Sequence, residues 1–517
     1  MKTDMPVISL LTLLILVLDT ANPSCAAPLD TMLYMSERET LIVENEQMRL
    51  GGSLQLSELE QRVNEVIMKE KRDLIENSRL NSSEFMPSMS FFHSKPQMEK
   101  TKTYQIIHNM PKGAALHLHD QSMVSPDWII KNVTYRDNLY MCQWQGQLCR
   151  FKFFNASAVG SDCQWKSVQA ERAAASDVKA FDLSLKNNIS LLVQDPFLAF
   201  ADNQAAWSRF SRFFGQIYAM MTYLPVYRDM FWRTLEEFRE GNVQYVEVRG
   251  DFSGLYELNG TVYNAEFGVQ LVRQIVQDFV KRYPDFSGAK IIFCGIRNQD
   301  LAVVLGQVKT SINLHKKYPD VFIGYDLGGN EAAYKPLAYF TEALLYPSRQ
   351  EPPYNLPYFF HAGETNWQGT AADYNLVDAL LLNTTRIGHG FALPKHPRLA
   401  QMVRERGIAL EVEPVSNQML RLVDDLRNHP ITALMAEGYP VVICTDDRTS
   451  TDMSPLSHDF YLAFMAMSSE DADLTFLKQL AINSLKYSAM EPTEKETALK
   501  LWQEKWDRFI KETIQAI

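Results

Sequence analysis

Residues 113–122 read GAALHLHDQS. Ala114, Ala115, Leu116 and Leu118 make an apolar run that gives way to polar residues, the pattern of a buried β-strand leaving the core at its C-terminal end. Side chains alternate along a strand, so His117 and His119 face one side with Leu118 between them. Two imidazoles on one face can reach a single metal ion, but taken alone they can equally be strand histidines with ordinary hydrogen-bond partners. The rest of the chain decides between these readings.

Working outward, further strand-like runs occur at 243–250 (VQYVEVRG), 289–296 (AKIIFCGI), 321–328 (VFIGYDLG), 358–362 (YFFHA), 386–390 (RIGHG), 408–415 (IALEVEPV) and 440–446 (PVVICTD). Amphipathic helical stretches separate them, for example 265–282 and 300–317. With the run at 113 there are eight strands alternating with helices, which predicts an α/β fold, a parallel (β/α)8 TIM barrel. Such barrels carry their active sites at the C-terminal ends of the strands. The reactive residues fall there. The first strand ends in His117, His119 and Asp120, the fourth in Asp326 before Gly328 and Gly329, and the fifth in His361 with Glu364 three residues on. The sixth ends in His389, the seventh in Glu413, Ser416 and Asn417, and the eighth in Asp446 and Asp447. Four of only ten histidines at one rim favour the metal reading.

His117, His119, His361 and Asp446 offer three imidazoles and one carboxylate, a set suited to Zn2+ with a position left for water. Zinc lowers the pKa of such a water toward about 7. Glu364 is placed to move a proton as a general acid/base, and His389 to orient or deprotonate the water. Asp447 can contact a substrate ring or instead fix a metal ligand. Gly328 and Gly329 either let a substrate approach the backbone or only make a turn. A two-metal amidohydrolase barrel wants a bridging lysine on the fourth strand; VFIGYDLGG has none, so one ion per chain is expected. The HxE…PCxxC signature of the other zinc deaminase class is absent.

The 517 residues are 46% hydrophobic, ample for a large core, and the net charge of −11 argues against nucleic-acid binding. Lys2, the apolar run Pro6 to Leu18 and the small residues Ser24 to Ala27 read as a signal peptide over 1–27, too short for a membrane span. No other stretch is long and apolar enough to cross a bilayer, so a secreted, extracellular protein is expected. Sequons at Asn81, Asn132, Asn155, Asn188, Asn259 and Asn383 fit a secreted glycoprotein. Residues 28–107 carry two capping boxes, Ser36 with Glu39 and Ser57 with Glu60; the first helix should stop at Gly51-Gly52. The apolar stripe Leu59, Val63, Val66, Ile67 and Leu74 on the second helix must bury against its own domain or a second subunit. Between the first two barrel strands, residues 133–192 hold Cys142, Cys149 and Cys163 and read as an inserted subdomain stapled by one disulfide. Cys294 and Cys444 read as buried thiols.

PKGAALHLHD, YFFHAGETNWQGT, NTTRIGHGFAL, EVEPVSNQ and CTDD, in this order, resemble the adenosine deaminase family, and the spacing resembles its long secreted branch, the adenosine deaminase 2 or adenosine deaminase-related growth factor group. The resemblance covers essentially the whole mature chain. It implies hydrolytic deamination of adenosine or 2′-deoxyadenosine, a nucleoside substrate, to inosine and ammonia. It places zinc on His117, His119, His361 and Asp446, a proton from Glu364 on ring N1, His389 beside the attacking water, Asp447 at N7 and the Gly329 backbone at N3. Asp120 and the stretch Trp207 to Phe214 look like the ribose-side wall and lid of that branch. The resemblance also implies a Cys142–Cys163 disulfide with Cys149 left over, an insert that binds a cell-surface receptor or proteoglycan, a homodimer formed through residues 28–107 beside a deaminase barrel over 108–517, and growth-factor activity. The chain departs from the family pattern at Arg448, where Pro is usual, in the following TSTDMSPLSHDF, at Ile296, where a polar contact is expected, and at Asn330. These departures are expected to touch the substrate pocket rather than the metal ligands. They motivate the alternative of a weakly active or inactive deaminase-fold signalling protein acting through receptor binding. A nucleotide-specific deaminase would want a basic cluster for the phosphate, and the strand-end motifs hold none.

Overall fold

In the computed structural model, which describes residues 30–144, 148–193 and 195–516, the eight expected strands are parallel neighbours. They are β1 (Gly113–His119), β5 (Val243–Gly250), β6 (Gly288–Ile296), β7 (Phe322–Gly328), β8 (His361–Ala362), β9 (Arg386–His389), β10 (Ala409–Val412) and β11 (Val441–Ile443). Between β1 and β5 lie β2 (Leu139–Trp144), β3 (Leu148–Phe153) and β4 (Lys166–Ser167). The ladders run β1-β5-β6-β7 and β8-β9-β10-β11. Single parallel bridges, Tyr325 to Tyr358 and Leu118 to Asp446, join the two sheets and close the barrel. The last four strands are shorter than their apolar runs suggest. At 408–415 the reason is Pro414, which has no N–H for a ladder and instead starts the helical turn Pro414–Met419.

Period-two alternation turns Tyr245, Glu247 and Arg249 of β5 into the barrel, where Arg249 reaches Asp326 and Glu411. Outside, the helices bury one stripe each. Val269, Val272, Ile275 and Phe279 do so on Ala265–Arg282, which Asn264 caps by accepting the Phe267 N–H.

The chain divides into two units, residues 1–45 and 46–517. The helix Thr31–Met48, whose residues 31–45 belong to the first, starts five residues before the expected cap at Ser36. Asp30 Oδ1 accepts the Met32 N–H instead, and Ser36 lies inside the helix with its carbonyl taking the Thr40 hydroxyl. The helix does end ahead of Gly51, whose φ is +80°. The second box forms as expected: Ser57 N–H donates to Glu60 Oε2 at 2.8 Å, and Glu60 N–H to Ser57 Oγ at 3.3 Å. It opens Glu58–Ser78, which buries Val63 and Ile67 within the same chain, against Lys102–Asn109 and the C-terminal helix Pro492–Ala516. Trp506 and Lys478 both donate to Glu60 there.

The insert is an antiparallel sheet in the order β3-β2-β4 with the helices Val168–Ala174 and Val178–Asn188. Cys142 and Cys163 are joined, and Cys149 is free. Cys142→Ser should therefore add Cys163 to the thiols that label under denaturing conditions; an unchanged thiol count would reject the pairing. The expected signal peptide and Cys25 lie outside the described residues. No helix among the described residues is long and apolar enough to cross a membrane.

Candidate active site

Closing the barrel brings residues from opposite ends of the chain to one rim. His117 and His119 leave β1 beside Asp446, whose N–H donates to the His117 carbonyl at 3.2 Å. His361 begins β8, and its N–H donates to Asp326 at the end of β7. His117 Nε2 lies 3.3 Å from His119 Nε2 and 3.1 Å from His361 Nε2. Asp446 Oδ1 lies 3.2 Å from His119 Nε2 and 3.7 Å from His117 Nε2. Four ligands held about 2.0–2.1 Å from one ion in a tetrahedron stand about 3.3–3.4 Å apart, close to the spacing here.

The surroundings fix which atoms face the centre. His117 Nδ1 is 2.9 Å from Glu411 Oε2, and His361 Nδ1 is 2.7 Å from Asp326 Oδ2. Burial pushes the pKa of both rings below the ordinary histidine value, so both are neutral. Against burial, His361 and Arg249 hold Asp326 well below the usual carboxylate range. An ionised carboxylate only accepts, so each Nδ1 carries the proton and each Nε2 presents a lone pair. Two lone pairs at 3.1 Å repel unless a cation lies between them. These His and Asp residues are thus a group that can hold a metal ion, with the His117 and His361 rings oriented by the carboxylates behind them.

Above the cluster lies a cavity of about 400 Å³. His119, Asp120, Trp207, Phe214, Gly329, His361, Glu364, His389, Asp446 and Asp447 all line it, while His117 is fully buried beneath. Trp207 and Phe214 come from the helix Asn203–Met221, which Asp202 caps. Glu364 Oε1 is buried with no hydrogen-bond partner, and burial, with Asp446, Glu331 and Glu413 adding to it against His389, pushes its pKa up to about 8. Asp447 Oδ1 is likewise unpartnered, and burial and Asp446 hold its carboxyl well above the usual range. Both shifts favour the protonated form. His389 Nδ1 lies 2.9 Å from Glu413 Oε2; burial opposes the charged form of the ring, but the neighbouring carboxyl groups of Glu364 and Glu413 raise its pKa. Burial and Asp251 raise Asp120, which takes the Tyr227 hydroxyl at 3.4 Å.

His389 and Asp446 adopt φ values of 62° and 61°, sparsely populated for side chains other than glycine. Gly329, at φ +96°, both makes the turn after β7 and presents its backbone to the cavity. A Cβ on Gly388 would come within 3.2 Å of His117 Cε1 and of the His361 Cα, so glycine there lets two of the rings pack.

Three expectations change. Cys294 is only partly buried and lies on the cavity wall, since β6 ends at the rim. Arg448 does not enter the cavity: its guanidinium turns into the protein and pairs with Glu237. The residues after it are also largely buried rather than lining the cavity. Ile296 and Asn330 do line it, and Ile296 is 48% exposed.

A charged layer under the metal-binding group escaped the sequence reading. Arg249 donates to Asp326 at 2.8 Å and to Glu411 at 2.6 Å, and Arg386 donates to Glu411 at 2.6 Å and to Glu247 at 2.5 Å. Glu331 accepts the N–H groups of Gly363 and Glu364, and Arg297 donates to the His361 carbonyl. The available signal was charge at period two inside apolar strands, Glu247 and Arg249 in VQYVEVRG and Glu411 in IALEVEPV. Arg249→Met removes the cation that bridges two buried carboxylates, leaving Glu411 to Arg386 and Asp326 to His361. We expect it to lose about 3–5 kcal/mol in denaturant unfolding; a loss under about 1 kcal/mol would mean the layer is not coupled.

Solved structures share this parallel (β/α)8 barrel fold. An amidohydrolase from Burkhoderia ambifaria, solved with bound Zn, aligns at a TM-score of 0.51 and 19% identity over 80% of this chain and 95% of its own, a likeness of fold. Family models described as Adenosine deaminase and Adenosine/AMP deaminase N-terminal match residues 181–504 and 11–107. Adenosine deaminase 2 of Homo sapiens is 41% identical over 475 residues, 92% of each chain. Adenosine deaminase 2-A of Danio rerio is 40% identical over 92% of this chain and 94% of its own. The chain belongs to the adenosine deaminase family, in its adenosine deaminase 2 branch, and is a deaminase.

Proposed function

We propose that the protein is a secreted, zinc-dependent adenosine deaminase that converts adenosine and 2′-deoxyadenosine to inosine and its deoxy counterpart, with release of ammonia. The observation that carries this reading is the protonated, unpartnered Glu364 beside a group of three imidazoles and one carboxylate in a nucleoside-sized cavity. The donor set fits zinc: three imidazole nitrogens and one carboxylate oxygen at tetrahedral spacing. His117, His119, His361 and Asp446 would hold it, and bound zinc supplies the Lewis acidity that makes hydroxide available near neutral pH.

The chain's own groups do the rest. Adenine N1, N3 and N7 are acceptors only. Glu364 donates its proton to N1, which makes C6 electrophilic. Asp447, also protonated, donates to N7, and the Gly329 N–H serves N3. His389, oriented by Glu413, holds or passes on the proton of the attacking water. Trp207 and Phe214 cover the ligand and exclude solvent, with Asp120 on the ribose side. The cavity wall carries acids, and its lining cation Arg249 is already paired with Asp326 and Glu411, which suits a neutral nucleoside better than a phosphate ester.

The reading extends to a growth-factor role through lowered extracellular adenosine, to a homodimer formed by residues 28–107, and to receptor or proteoglycan binding by residues 133–192. Asn81, Asn132, Asn155, Asn259 and Asn383 are exposed and suited to carry glycan. Asn188 is the poorest acceptor: half-buried, its side-chain oxygen takes hydrogen bonds from Cys149 N–H and Gln216 Nε2.

The test is adenosine turnover by the purified protein, followed by the ultraviolet change on conversion to inosine, with and without a zinc chelator. Chelator-sensitive turnover is the expected result. A folded, zinc-loaded protein without turnover would overturn the reading in favour of a signalling protein that keeps the fold, and Ile296→His would be the next variant.

A further inference from the structure

Arg448 follows the two aspartates of the rim, yet it is 5% exposed and points away from the cavity. It pairs with Glu237 of the helix Leu224–Glu240, itself 7% exposed, and donates to the carbonyls of Met453 at 2.6 Å and Met123 at 3.3 Å. Glu237 also takes the N–H and hydroxyl of Ser125, at 3.0 and 2.7 Å. Met123 and Ser125 belong to the loop that leaves β1 after His117, His119 and Asp120. The same two segments are stitched together by Thr449, whose N–H donates to the Ser122 carbonyl at 2.8 Å and whose hydroxyl donates to that of Val124 at 2.5 Å. Asp446 meanwhile holds φ at 61°, a costly conformation that survives only where its surroundings enforce it.

We propose that Arg448 is a positioning residue: through Glu237 it locks the turn 446–451 against the β1 exit loop, and so aims Asp446 and Asp447 into the cavity. The inference rests on the reading of Asp446 as a metal ligand and Asp447 as a substrate contact. A buried charge pair suits this task because its geometry is directional, and without Arg448 the buried Glu237 keeps only the partly exposed Arg233, at 3.2 Å, as a cation partner.

Full-length, Zn2+-loaded Arg448→Met, Arg448→Lys and the double variant Arg448→Met/Glu237→Gln separate positioning from mere stability. The double variant also removes the buried carboxylate that Arg448→Met leaves to Arg233 alone, and should regain thermal stability. We expect Zn2+ transfer to a chromogenic chelator to stay about 10–100-fold faster than native in both Met variants, with kcat on adenosine down about tenfold. Arg448→Lys should recover part of both. Native Zn2+ release and kcat in a folded double variant would overturn the proposal, as would their return in step with stability. Loss of fold in all three variants would also overturn it, making Arg448 structural. Absence of adenosine turnover in the native protein would count against the proposed reaction, while Zn2+ release would still decide whether the clamp exists.

Discussion

Glu364→Gln should abolish turnover while zinc stays near one per chain. Glutamine keeps the shape of the side chain and can still donate a hydrogen bond, but it cannot give up a proton. Loss of a positioned general acid costs about 10²–10⁴-fold in kcat. The geometry supports the upper part of that range. Glu364 Oε1 makes no hydrogen bond within the protein, with His389 Nδ1 standing off at 3.7 Å, and Glu331 fixes the backbone by accepting the Glu364 N–H at 2.9 Å. The sign with pH follows from the raised pKa of about 8: the acid is charged with its proton below that value, and native kcat should fall as pH rises through it. Glu364→Gln should show no such alkaline limb in its residual rate. Zinc lost together with activity would instead make Glu364 a ligand.

Removal of the metal should have the other large effect. Stripped protein keeps the His117 and His361 lone pairs facing each other at 3.1 Å, with Asp446 at the same point. We expect chelation to eliminate turnover and to lower stability, by about 3 kcal/mol if the metal had stood at one hundred times its Kd. Added Zn2+ should restore both. In Asp446→Ala added Zn2+ should restore neither, since one of four ligands is gone. Full turnover in protein shown to hold no metal by elemental analysis would remove the basis for the proposed chemistry.

Much of this site was legible before any coordinates. Period two in GAALHLHD put two imidazoles on one face, and strand ends in a parallel barrel converge, so HAGE, IGHG and TDD could be gathered to one rim from their position alone. The layer beneath was harder to see. Arg249, Glu411 and Arg386 come from three strands, and only the closed barrel pairs them. Arg448 misled for a related reason: sequence adjacency to Asp447 says nothing about which way a long side chain turns, and its partner Glu237 lies on a helix before β5. The helix Thr31–Met48 began early because Asp30, a residue outside the box pattern, supplied the cap.

The bridge between Leu118 and Asp446 has a consequence for how the enzyme is made. It is the seam at which the first and last strands of the barrel meet, and metal-binding candidates stand on both sides of it, more than three hundred residues apart. A nascent chain that has reached β10 holds His117, His119 and His361 but leaves the edge of β1 unpaired and the fourth ligand unmade. Metal capture therefore reports completed synthesis. A chain cut short anywhere before Asp446 would be left with an open sheet edge and without one of the four candidate ligands, two marks that set it apart from the finished protein.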